Sequence, residues 1–230
     1  MSNETNNESN GVRSLALDYI GKMVGYVTSA NKAISDAHKQ VEDARRHYAS
    51  KVVTRDYLER VMADAKARED ATKAAAWQRA DEVVDSFSSD ASAVFSVDGA
   101  SLTPAQLAEL DHVDLTLPEI EARLLAAKAT GGGYTYARAL YRKAREAGYD
   151  VVDDAPAFLA DAREAVEFAA KMLRNAVGDG GTAYADATGE VVTRAGEMLA
   201  DAEADYLARP GLSREASDAI TGTEGGSEAD

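Results

Sequence analysis

The sequence predicts an all-α protein: an elongated long-helix hairpin, a smaller helical module, and a second antiparallel helix pair. Three observations predict it. Near the N-terminus, large apolar residues recur every seven positions, with mostly alanine between them. Residues 12–87 contain no proline and only two glycines, Gly21 and Gly25. Beyond them, helix-start signals and glycine-rich stops cut the chain into further helical pieces.

Residues 1–11 (MSNETNNESNG) are polar and read as disordered, with neither the positive start nor the apolar run of a signal peptide. The first helix begins near Val12 and ends near Ser50. Ile20, Val27, Ile34, Val41 and Tyr48 occupy one position of its heptad, and Ala16, Met23, Ala30, Ala37 and Ala44 occupy the other seam position. Large residues facing small ones describe a helix that packs closely on another helix. At about 1.5 Å per residue this helix runs roughly 57 Å, too long for the core of a small round domain. Gly21 and Gly25 form a GxxxG, read as two small residues on a packed helix face.

Lys51-Val52-Val53-Thr54 supplies β-branched residues and a capping threonine, so a second helix is expected from Arg55 to Phe87. The absence of glycine or proline there leaves one continuous rod as the rival. The hairpin is preferred, because an alanine-lined seam needs a partner and the second helix is nearest. Trp77 is expected at that seam or on its edge. Residues 12–87 therefore form the hairpin or coiled coil.

Residues 88–101 read as a joint, turn-rich at first, with Val94-Phe95-Ser96-Val97 and Asp98-Gly99 as a short strand and tight turn. Residues 102–149 form the small module. Thr103-Pro104-Ala105-Gln106 is a capping box with proline at the first helical position, and Thr116-Leu117-Pro118-Glu119 is a second box. They start helices to about Leu110 and from Leu117 to Ala129. A third runs from Thr135 to Ala147 and is closed by Gly148. Residues 150–209 give the second pair, from Ala155 to Val177 and from Ala183 to Ala208, reusing the opening repeat. Residues 210–230 read as an acidic, flexible tail.

The chemistry is sparse. There is no cysteine, hence no disulfide and no thiolate metal site or nucleophile. His38 and His47 lie on nearly opposite faces of one helix. Glu109 and His112 have the spacing used in carboxylate-bridged metal bundles, but such sites need two such pairs and further glutamates. The glycine runs at 131–133 and 178–181 lack the lysine and strand of a phosphate loop. No cofactor, metal or catalytic residue is assigned. One segment stands apart, Tyr134–Tyr149 (YTYARALYRKAREAGY). Arg138, Arg142 and Arg145 form its basic stripe with Tyr149 at the end, a candidate interaction surface. Internal pairing with nearby carboxylates is the plainer reading of that stripe.

Part of this region resembles a known pattern. Asp114-Leu115-Thr116-Leu117-Pro118-Glu119-Ile120-Glu121, then Lys128, then Thr135-Tyr136-Ala137-Arg138-Ala139-Leu140 and Arg145-Glu146-Ala147-Gly148, is similar to helical accessory proteins encoded among the structural genes of tailed bacteriophages. The resemblance covers residues 114–148. It implies a role in the virion or its assembly and supplies no catalytic residues.

The net charge is −15, and residues 151–230 carry 6 basic and 17 acidic side chains. That disfavours nucleic acid and favours basic or protein partners. No stretch is apolar enough to span a membrane, so a cytoplasmic or virion-associated protein is expected. The leading expectation is a non-enzymatic structural or assembly protein that self-associates through the Ile20–Tyr48 seam or closes it within one chain. The alternative is an acidic adaptor or inhibitor that mimics a polyanion.

Overall fold

A computed structural model describes residues 11–96, 102–112, 115–129, 133–178 and 182–209, the side chains of residues 112 and 182–187 excepted. The described chain is all-helical: α1 (Val12–Ala49), α2 (Arg55–Val94), α3 (Pro104–His112), α4 (Leu117–Ala129), α5 (Tyr134–Glu146), α6 (Ala155–Asn175) and α7 (Thr182–Ala208). It divides into two compact units, one of Ala16–Ser88 with Arg163–Met198, the other of Met1–Leu15, Ser89–Ala162 and Leu199–Asp230. Of the ends read from sequence as disordered, residues 1–10 and 210–230 lie outside the described residues, whereas Gly11 is buried and its carbonyl accepts from Leu15 N–H at 3.0 Å.

In the first unit α1 and α2 form an antiparallel hairpin, and the continuous rod does not occur. Tyr19 meets Phe87 edge-on at 6.0 Å, and Arg79 lies 5.4 Å from the Tyr26 ring. Farther along, His38 Nε2 is 3.2 Å from Glu69 and Arg68 donates to Gln40 at 3.3 Å. As the position on α1 rises, the partner on α2 falls by as much, which only antiparallel helices give. The heptad seam supplies the contact: Ala16, Ile20, Met23, Val27, Ala30, Ile34 and Ala37 are all buried. Gly21 and Gly25 are exposed, and a Cβ at either would meet nothing within 4 Å. The GxxxG therefore lies on the outward side of α1 and not on a packed face.

The end of α6 is fixed to this hairpin by one buried amide. Asn31 Nδ2 donates to the Ala176 carbonyl at 3.0 Å, and Asn31 Oδ1 accepts from the Gly178 N–H at 2.7 Å. A helix C-terminus leaves carbonyls without partners, and here a side chain from α1 supplies one. Trp77 sits on the edge of the hairpin, 44% exposed, with its indole N–H donating to the Arg174 carbonyl.

In the second unit, α3, α4 and α5 pack around Ile120, Leu124, Ala137, Leu140, Tyr141 and Ala144. Both capping boxes form: the Gln106 side chain accepts from Thr103 N–H at 2.8 Å, and Glu119 accepts from Thr116 N–H at 2.8 Å. Glu109 accepts from the Tyr136 hydroxyl and from Arg123, tying α3 to α4 and α5.

The stretch read as a joint behaves differently. α2 continues through its serines to Val94, and the strand expected at Val94-Phe95 does not form; residues 97–101 lie outside the description. Phe87, Ala91 and Phe95 recur every four positions and are all buried, so tertiary burial overrides the weak turn preference of serine and aspartate. Phe95 packs against Tyr134, Phe158 and Tyr206, with ring centroids at 5.0, 6.2 and 5.9 Å.

Candidate interaction surface

The hairpin seam changes character toward the turn. Ile20, Val27 and Ile34 are buried, Val41 is half-buried, and Tyr48 is 43% exposed. Ala44 is the last buried residue on α1 and Ala65 the first on α2; between Arg45 and Asp64 nothing is buried. Two helices alone bury only the thin strip between them, so apolar residues beyond that strip face water. Tyr48, Val52, Tyr57 and Met62 are exposed there, half of the eight large hydrophobics exposed among the described residues.

The turn itself is a Schellman motif. Lys51 N–H donates to the Tyr48 carbonyl and Val52 N–H to the His47 carbonyl, both at 2.9 Å. Lys51 takes the left-handed conformation, φ 58°, at the position usually given to glycine. Thr54 Oγ1 then caps α2 by accepting from Tyr57 N–H at 3.3 Å. The ring of charge around this tip is basic. From Ala44 to Ala63 the chain carries Arg45, Arg46, Lys51, Arg55 and Arg60 against Asp56 and Glu59, a net of +3 in a chain of net −15. Arg45, Arg46 and Arg55 pair with Glu42, Asp43 and Glu59 on their own helices. Lys51 and Arg60 have no ion-pair partner among the described residues.

The arginine stripe of α5 separates. Arg138 is occupied inside its unit, 3.2 Å from Asp153 and donating to the Phe95 carbonyl at 3.1 Å. Arg142 is exposed and lies 3.6 Å from Glu146, Arg145 is exposed, and Tyr149 packs partly on the module core. The internal carboxylate on Arg138 is Asp153, in the segment preceding α6.

Sequence reasoning passed over Lys128. Its side chain is fully buried, and Nζ donates to the Arg209 carbonyl at 2.6 Å and the Tyr206 carbonyl at 3.0 Å, with Asp154 at 3.4 Å. The ammonium also lies 4.2 Å from the Tyr206 ring. Burial lowers its pKa while Asp154 opposes the shift. Burial raises the phenols of Tyr141 and Tyr206 above their ordinary range and pushes Tyr134 up to about 12. The signal was present: Ile120, Leu124 and Lys128 follow one another at four-residue spacing, on the buried stripe of α4. The arrangement binds the last turn of α7 and leaves Nζ no approach from solvent.

No known protein family, curated protein or solved structure matches this chain.

Proposed function

We propose that this chain is a non-enzymatic structural or assembly protein that works by association of helical surfaces, its own copies included. One observation carries the reading: the α1–α2 hairpin ends in an unburied, apolar and basic tip, Tyr48 to Met62, joined to a hairpin whose inner seam is closed by its own chain. Exposed tyrosine, methionine and arginine are the residue types enriched in protein interfaces. The resemblance of residues 114–148 to phage accessory proteins supports placing that association in virion assembly. Sedimentation equilibrium of the purified chain over a wide concentration range tests the proposal. A mass rising above 24.4 kDa with concentration is the expected result. A monomer at every concentration refutes assembly from copies of this chain.

A further inference from the structure

The 9 residues of α3 are too few for a helix to be stable alone in water. None of its described side chains is fully buried. Leu107 and Leu110 are partly covered by the module core, and Pro104, Ala105 and Ala108 are exposed. Polar contacts therefore carry much of its attachment. The Glu109 carboxylate accepts from the Tyr136 hydroxyl on α5 and from Arg123 Nε on α4, and the Leu110 carbonyl accepts from Lys143 Nζ on α5. We propose that α3 is an acid-released flap: protonation of Glu109 undocks it from α4 and α5, while the core between those two helices stays packed. Leu102 and Leu115, both buried in that core, hold the chain on either side of the flap.

One carboxylate joins three helices, and its side chain is 28% exposed, so a proton reaches it without unfolding. Ionised, it takes two charge-assisted hydrogen bonds. Neutral, it keeps weaker ones and gives up its attraction to Arg123. The groups that face it hold their own charge states through the acid range. Burial raises the Tyr136 phenol, which stays neutral, and the hydrogen bond to Glu109 raises Arg123, which stays charged. Arg123 Nη1 also donates to the Glu119 carbonyl at 3.3 Å. The Glu119 carboxylate titrates in the same range, but it is committed to Thr116 at the start of α4. Lys143 is a cation on a carbonyl, a contact that acid leaves alone. The Tyr136 hydrogen bond, with that of Arg123, holds the Glu109 carboxyl below its ordinary 4.5. Docking is therefore complete above about 4.5 and weakens as pH falls through the lower, folded value.

Amide hydrogen exchange and carbon NMR of the side-chain carboxyls, followed on the full chain from pH about 5.5 to about 3, test the proposal. That window lies below the ordinary range of histidine. After correction for intrinsic rates, the amides of residues 107–111 should lose about tenfold in protection for each pH unit by which the Glu109 carboxyl is held down. The midpoint of that loss should coincide with the titration of the Glu109 carboxyl, while the amides of Leu124 and Leu140 keep their protection. Glu109→Gln retains an acceptor but cannot titrate, so its α3 protection should stay level across the window. Tyr136→Phe removes the hydroxyl donor and should move both midpoints upward together. Three results overturn the proposal: α3 keeps its protection until the whole chain unfolds, α3 is released at the same pH in Glu109→Gln, or the Glu109 carboxyl titrates with no change in α3. If Glu109→Gln does not fold, the paired midpoints of the unaltered chain and of Tyr136→Phe decide, and midpoints that move apart overturn it.

Discussion

Replacing Lys128 by methionine removes one cation and little volume, so the result reports on polar contacts more than on packing. In the folded chain Nζ has the carbonyls of Tyr206 and Arg209 at 3.0 and 2.6 Å and Asp154 at 3.4 Å. The thioether would leave both carbonyls without that donor and the Asp154 carboxylate, 12% exposed, without its counter-charge. An orphaned buried acceptor costs about 1–3 kcal/mol, and breaking a buried ion pair from one side costs about 3–5 kcal/mol. Two effects reduce the sum. The desolvation cost of the ammonium disappears, and Asp154 retains its place at the start of α6, where its carbonyl accepts from Phe158 N–H and the helix dipole favours a carboxylate. The net expectation is a loss of about 3 kcal/mol, or roughly 6–12 °C in melting temperature for a chain of this size. Urea and thermal unfolding followed by circular dichroism measure it. Adding Asp154→Asn recovers about 1 kcal/mol, because an uncharged partner no longer sits unpaired in a buried site. If Lys128→Met is as stable as the parent chain or more so, burial of the ammonium outweighs its contacts and the reasoning fails.

Lys51 and Gly148 occupy equivalent places in two Schellman turns, with φ 58° and 87°. Lys51→Gly should stabilise by up to about 1 kcal/mol, and Gly148→Ala should cost about 1 kcal/mol although a Cβ there meets nothing within 4 Å. Urea midpoints for the two variants should move in opposite directions. Asn31→Leu leaves the Ala176 carbonyl and Gly178 N–H without their partner and should cost about 2–3 kcal/mol, with the Gly178 amide exchanging faster by NMR. The hydrogen bond from the Tyr136 hydroxyl, and then the contact with Arg123, holds the Glu109 carboxyl below its ordinary value of 4.5. Its folded pKa lies under its unfolded one, so its stabilisation is whole above about 4.5 and is lost as pH falls through the folded value. Glu109→Gln should therefore lose less melting temperature between neutral pH and pH about 3 than the parent chain does.

What was legible in the sequence was periodic burial, and the misses share a physical origin. The seam from Ile20 to Ile34 could be read because a stripe of large and small residues has one use on a long helix. The C-terminus of α5 could be read because glycine marks the left-handed residue that ends it. The end of α1 uses the same hydrogen bonds with lysine in that conformation, so the turn lacked the glycine that would have marked it, and with only the β-branched pair and Thr54 as signals the continuous rod stayed open as a rival. The continuation of α2 past Phe87 was hidden by local preference, since serine and aspartate point to turns until Ala91 and Phe95 are counted as buried. Lys128 was hidden by residue type: a lysine on an apolar stripe is ordinarily a surface residue that extends to water. Only the carbonyls at the end of α7, distant in sequence, make its burial tolerable. The tip was hidden for the opposite reason. Tyr48 fits the heptad as well as Ile20 does, and periodicity cannot say where a partner helix stops covering a seam. An apolar residue in register at an uncovered end gains nothing from the intramolecular fold. Tyr48, Val52, Tyr57 and Met62 are therefore the side chains on which the association proposed above rests.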